Sequence, residues 1–262
     1  MERHFANLAR SDARYAVINR CAMRMKPMKQ KKKTKDIRKH KRVLDTFTGP
    51  LERPLLQWLA ARQPAWVTPD MLTAVSIFGA FVIFIGFLLT NYSKNYLWLA
   101  TFGFFINWYG DSLDGTLARF RHIERPIYGF YLDHVSDAFV EVLIFLGLGL
   151  SPYVRFDLAC LALIGYFLLS ILTFVRTCVK GEFTISYGRL GPTEVRLIAI
   201  LGNTLVFFLG TVTIPLFSLS LMIYDWIAIV VIFLEATIAI ATASRQVSLL
   251  SKLDPGHKIT QD

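Results

Sequence analysis

Cysteine is nearly absent: Cys21, Cys160 and Cys178 are the only three in 262 residues. Thiols so few and so scattered exclude a disulfide framework and a cysteine-based zinc site. The start of the chain is polar and lacks the short apolar core and small-residue cleavage site of a secretory leader, so no leader is expected. No internal repeat and no second domain is visible. Acidic residues are scarce too, nineteen against twenty-nine Lys and Arg. That scarcity makes the placement of each acid informative.

The basic excess is local. Residues 1–42 hold fifteen Lys and Arg against Glu2, Asp12 and Asp36, a balance of +12 within a net charge of +10. The run KPMKQKKKTKDIRKHKR is expected to lie on anionic lipid, each base near the surface contributing about 1 kcal/mol. Nucleic acid is not expected as a partner, because no aromatic or Gly-rich RNA-binding pattern accompanies the bases. Residues 1–43 therefore read as a basic, disordered cytoplasmic extension.

Residues 44–66 differ in kind. In LLQWLAAR, Leu55, Leu56, Trp58 and Leu59 are spaced for one helical face, with Pro54 suiting the helix start and Pro64 its end. This segment is expected to be an amphipathic helix in the membrane interface plane.

Apolar sequence is what the chain has in abundance. Long runs recur near 71–90, 96–110, 130–150, 157–175, 195–218 and 221–243. A helix crossing the hydrocarbon core needs about 20 such residues. The fold class expected is an all-α integral membrane protein, with six transmembrane helices preceded by the interfacial helix. The membrane domain would cover 67–246 and a cytoplasmic tail 247–262. Arg119, Arg121 and Arg125 follow the second run; Arg176, Lys180, Arg189 and Arg196 follow the fourth; Arg245, Lys252 and Lys258 follow the last. The alternate connections hold only Lys94, Arg155 and no base at all. The bias of Lys and Arg puts both termini and every basic loop in the cytoplasm.

Against this background Asp111, Asp114, Asp133 and Asp137 stand out. A carboxylate near a bilayer core costs several kcal/mol unless something offsets it, so charge there points to function. Asp111, Asp114, Gly115 and Ala118 share one helical face, with Arg119 beside them; Gly129, Asp133 and Asp137 share a face of the next helix. Only residues 120–128 separate the two groups, so the helices are expected side by side and antiparallel. Four carboxylates would then meet near the cytoplasmic surface. Hard divalent cations prefer such oxygen donors. Two ions held together serve phosphoryl transfer. The same acids could instead line the ion path of a transporter or join helices in a scaffold through Arg–Asp pairs.

The combination Asp111-x-x-Asp114-Gly115-x-x-Ala118-Arg119, then Gly129-x-x-x-Asp133-x-x-x-Asp137, resembles the signature of the CDP-alcohol phosphotransferase family. The likeness extends loosely over 50–245 and includes Thr68-Pro69-x-x-Leu72-Thr73 at the start of the first run. It implies two divalent cations, Mg²⁺ or Mn²⁺, held by Asp111, Asp114, Asp133 and Asp137, with Asp137 also the general base. It further implies that Gly115, Ala118, Arg119 and Gly129 face a CDP-linked donor, with Asp70 and Thr73 touching its nucleotide. A homodimer is implied as well. The chain departs from the family in two places. Nine residues stand between Arg119 and Gly129 where eight are common, and Pro69-Asp70 replaces the usual Pro-Asn. His134 makes the second half Asp-His-x-x-Asp, similar to the choline and ethanolamine branch.

A second polar cluster, GRLGPTEVR at 188–196, offers Arg189 and Arg196 as phosphate or acceptor ligands, with Glu194 as an anchor for one of them. The function expected is transfer of a phosphatidyl or other substituted phosphate group from the donor to an alcohol acceptor, with CMP released. CDP-diacylglycerol with a small polar alcohol is the first choice, and a CDP-amino-alcohol with diacylglycerol the alternative.

Overall fold

The computed structural model describes residues 47–180, 191–211, 213–216 and 219–253. The basic extension, Arg189 and the last nine residues of the tail lie outside the described residues. Among those described, the chain is mostly helical: α1 (Gly49–Arg62), α2 (Pro69–Leu89), a 3-10 turn (Lys94–Tyr96), α3 (Leu97–Phe120), α4 (Pro126–Gly149), α5 (Phe156–Lys180), α6 (Pro192–Leu209) and α7 (Ile223–Leu253). A small hairpin, β1 (Thr213–Leu216) and β2 (Leu219–Met222), precedes α7. By length and composition α2, α5, α6 and α7 can cross a membrane.

Local chemistry sets the ends of these helices. Thr68 caps α2, its Oγ1 accepting from the Met71 amide at 3.3 Å, with Pro69 and Asp70 in the first turn. At the end of α3, His122 sits in the left-handed region at φ 56°, the Ile123 amide donates to the Ala118 carbonyl and the His122 amide to the Arg119 carbonyl. This pair of bonds is a Schellman stop with His where Gly is usual. The Arg121 guanidinium then reaches the carbonyls of Gln63 (2.9 Å), Pro64 (2.8 Å), Ala65 (3.4 Å) and Val67 (2.5 Å). It thus ties the α3–α4 turn to the α1–α2 connection.

The fifth apolar run does not stay helical to 218. α6 stops at Leu209, Gly210 turns the backbone at φ 76°, and the hairpin pairs Thr213 with Met222 through Leu216 with Leu219. Gly allows the left-handed step and Pro215 has no amide to donate, so neither favours continuing the helix. Asp225 then joins the hairpin to the start of α5, accepting from the amides of Met222 (2.9 Å) and Arg155 (2.8 Å).

α2 is the central element. Glycines let α3 approach it closely: an added Cβ at Gly86 would meet the Ala100 amide at 2.5 Å, and one at Gly103 the Ile83 amide at 2.7 Å. Gly79 and Gly110 are equally tight against Asn107 and against Leu72 and Ser76. Small residues at helix crossings of this kind replace the hydrophobic drive that lipid cannot supply. α4 also packs on α2, with Gly147 against Phe84. α3 and α4 therefore do not pack mainly on each other, as the short connection suggested. Each leans on α2, which leaves room between their polar ends.

Two apolar clusters complete the core. One joins Ile83, Phe87, Leu97, Ala100, Phe104, Tyr153 and Val206. The other seats α1 on α3 through Leu56, Ala60, Leu113 and Leu117. The apolar residues of α1 thus divide between two sides. Leu56 and Ala60 face inward, whereas Leu51, Leu55 and Trp58 are exposed.

Candidate functional site

Asp111 on α3 and Asp133 and Asp137 on α4 each offer a carboxylate oxygen within 4.8 Å of the others. The one-turn spacing of Asp133 and Asp137 puts both on the side of α4 that meets Asp111. Asp114, one turn after Asp111, is turned toward α2: Thr73 Oγ1 donates to its Oδ2 at 2.6 Å, and its own neighbour's amide, Gly115, donates to Oδ1. Three of the four expected acids are thus drawn together, and the fourth is held beside them by Thr73.

Arg196, from the first turns of α6, donates through Nη2 to Asp111 Oδ2 at 2.8 Å. Both side chains are largely buried, at 11% and 19% exposure. The Nη1 of Arg196 has no partner among the described residues. A guanidinium here offsets part of the mutual repulsion of the acids and leaves donors for an anion. Three converging carboxylate oxygens, drawn from two helices and partly buried, suit hard divalent cations. The donor set therefore fits Mg²⁺ or Mn²⁺, with Asp111, Asp133 and Asp137 as ligands and Asp114 alongside.

The other expected residues fall into three groups. Gly115, Ala118 and Arg119 follow the acids on the last turns of α3, with Arg119 exposed and donating to Thr116 Oγ1 at 3.1 Å. Gly129 is exposed, and a Cβ there would meet nothing within 4 Å. Asp70 is engaged at the mouth: Arg125 Nη2 lies 2.5 and 2.6 Å from its two oxygens, and the guanidinium stacks 4.1 Å from the Tyr128 ring. The hydrogen bond to Asp70 raises the pKa of Arg125 above its ordinary value.

One expectation shifts. Among the described residues Glu194 holds α1 and not Arg196: its Oε1 accepts from the Thr48 amide (2.9 Å) and Thr48 Oγ1 (2.8 Å), and its Oε2 from the Gly191 amide (2.8 Å). At 7% exposure it is a structural tie between α1 and α6. His134 lies at the edge of the acid cluster, between Asp133 and a pair of aromatics. Its Nδ1 is 2.8 Å from the Phe130 carbonyl and 3.8 Å from Asp133, and its ring stacks on Phe130 at 4.2 Å beside Phe174.

Sequence reasoning missed Glu52. Its Oε1 accepts from Trp108 Nε1 (2.8 Å), Ser112 Oγ (3.1 Å) and Thr193 Oγ1 (2.8 Å). The only signal was an acid in an otherwise apolar and basic helix.

Comparison with known proteins adds to this geometry. The family model for CDP-alcohol phosphatidyltransferases matches residues 66–234, well over half of the chain. Among solved structures, the chain is similar to Mycobacterium tuberculosis phosphatidylinositol phosphate synthase with CDP-DAG bound, at 21% identity over 78% of this chain and 94% of that one, TM-score 0.44. The apo form of the same synthase gives 21% identity over 76% and 93%, TM-score 0.42.

Proposed function

Because the chain belongs to the CDP-alcohol phosphatidyltransferase family, we propose that it moves a phosphatidyl group from a CDP-linked donor to an alcohol hydroxyl at the cytoplasmic face of a membrane. The observation that carries this reading is the convergence of Asp111, Asp133 and Asp137 with Arg196. Acids with a buried guanidinium beside them suit a substrate made of phosphates, and the residues that would hold its cations come from both halves of the family-like motif.

Divalent cations bound by these acids would neutralise the pyrophosphate and stabilise the charge that develops on the leaving CMP. The protein's own residues do the rest. Asp137 accepts the proton of the attacking hydroxyl. The hydroxyl oxygen bonds to the phosphorus distal to cytidine, the bond from that phosphorus to the CMP oxygen breaks, and CMP leaves with the electron pair. Arg196 pairs with substrate phosphate oxygens, and Gly115, Ala118, Arg119 and Gly129 give the donor head close access to backbone. Asp70 and Thr73 line the nucleotide side of the mouth, and Arg189 is the further phosphate candidate.

The membrane arrangement follows the same reading. α3 and α4 have 24 residues each, about 36 Å of helix, enough to cross roughly 30 Å of hydrocarbon despite their acids. Counting them with the four more apolar helices makes six spans. The exposed Leu51, Leu55 and Trp58 support α1 lying in the interface. The basic loops support a cytoplasmic site.

CDP-diacylglycerol with a small polar alcohol is the preferred pair, because phosphatidyl transfer puts the lipid on the donor. His134, the residue that favoured an amino-alcohol donor, packs on Phe130 and Phe174 and lies 3.8 Å from Asp133, so the alternative donor is kept in the test. The test is CMP release by the purified protein in lipid–detergent micelles. Labelled CDP-diacylglycerol is supplied with a panel of alcohols and Mg²⁺ or Mn²⁺. Release that requires both CDP-diacylglycerol and one alcohol supports the reading. Release only from CDP-amino-alcohols with diacylglycerol would overturn the donor assignment, and none with any donor the whole reading.

A further inference from the structure

We propose that Glu52 on α1 is a positioning residue for the reaction, holding Arg196 at the acid cluster through Thr193. The inference rests on the phosphotransfer reading and deepens it. One carboxylate oxygen of Glu52 gathers donors from three directions: Trp108 and Ser112 on α3 and Thr193 on α6. Trp108, Asp111 and Ser112 have i, i+3, i+4 spacing, so Glu52 grips the face of α3 that carries Asp111. Thr193 and Arg196 have i, i+3 spacing, so the same oxygen grips the face of α6 that carries Arg196.

A second tie sets the register. Thr48, one turn before Glu52, donates its amide and its hydroxyl to Glu194, which also holds the Gly191 amide. α1 and the first turn of α6 therefore hold each other through two carboxylates, Glu52 from one side and Glu194 from the other. Neither carboxylate belongs to the acid cluster. Among the described residues, the hydrogen bond that joins the start of α6 directly to α3 is the Arg196–Asp111 pair, and Arg196 Nη1 stays free for a substrate phosphate. The clamp keeps α6 in place while Arg196 serves both partners.

The experiment is a double-mutant cycle with a metal titration beside it. Glu52→Ala is expected to lower kcat about tenfold, as a misplaced positioning group does. Thr193→Val, which removes only the hydroxyl, should lower it less. Glu52→Gln keeps an acceptor oxygen at the same place and should restore most of the rate. In an Arg196→Lys background, Glu52→Ala should cost less than about twofold more, because the effect travels through Arg196. Mn²⁺ binding to the purified protein is measured separately. Once Arg196 is loosened from Asp111, the Glu52→Ala protein should bind Mn²⁺ more tightly than wild type, whereas general loosening of the site would weaken it. A full tenfold loss in the Arg196→Lys background, an unchanged kcat in Glu52→Ala, or weaker or unchanged Mn²⁺ binding there would overturn the proposal. A wild type that neither releases CMP nor binds Mn²⁺ would instead overturn the reading beneath it.

Discussion

Gly110 is the residue directly before Asp111, and its lack of a side chain lets α3 touch α2. A Cβ at this position would collide with the Leu72 carbonyl oxygen and the Ser76 amide nitrogen and lie 2.8 Å from the Ser76 Cα. All three are backbone atoms, so no side chain can rotate away. Reaching an ordinary 3.4 Å contact with the nearest of them would part the helices by about an ångström at that point. Overpacking of this kind costs about 1–3 kcal/mol. In a chain of this size it lowers Tm by roughly 2–4 °C per kcal/mol. The same displacement stretches the Asn107 bonds to Ser76 (2.8 and 3.0 Å) and the Thr73–Asp114 bond (2.6 Å), and it carries Asp111 with it. A misplacement of 1 Å can cost on the order of 100-fold in rate, so a loss of about tenfold to 100-fold is expected here. Gly110→Ala should therefore lower both the Tm in detergent and the kcat of CMP release. Wild-type values for both would refute the close-packed α2–α3 crossing as the device that sets Asp111.

Three further outcomes are expected. Asp137→Asn should lose about 100- to 10,000-fold in kcat while keeping its Tm, since it removes a base without changing shape; undiminished CMP release would remove Asp137 from that role. Gly129→Ala meets no protein atom within 4 Å, so its Tm should hold while the KM for the donor rises several-fold; an unchanged KM would mean that no substrate approaches this surface. His122→Gly should raise Tm by a few degrees, because left-handed geometry costs a side-chain-bearing residue about 1 kcal/mol or more; thermal unfolding in detergent decides, and an unchanged or lowered Tm would show that the turn is not strained.

What the sequence determined by itself was whatever depends on neighbours along the chain. Hydropathy and length located the helices approximately, though not the hairpin after α6, Thr68-Pro69 located the start of α2, and the one-turn spacing of Asp111 with Asp114 and of Asp133 with Asp137 the two acidic faces. The family resemblance added roles to those same residues. Only the tertiary structure decided which groups meet across the chain. Arg196 reaches Asp111 from 85 residues away, and Thr193 reaches Glu52 from 141. Glu194 was legible as a polar residue near the mouth, but not as the partner of Thr48. The division between α3 and α4, each leaning on α2, was equally out of reach. Short-range periodicity says which face a side chain occupies. Which helix that face meets depends on how closely backbones can approach, and here four glycines on α2 and α3 decide it.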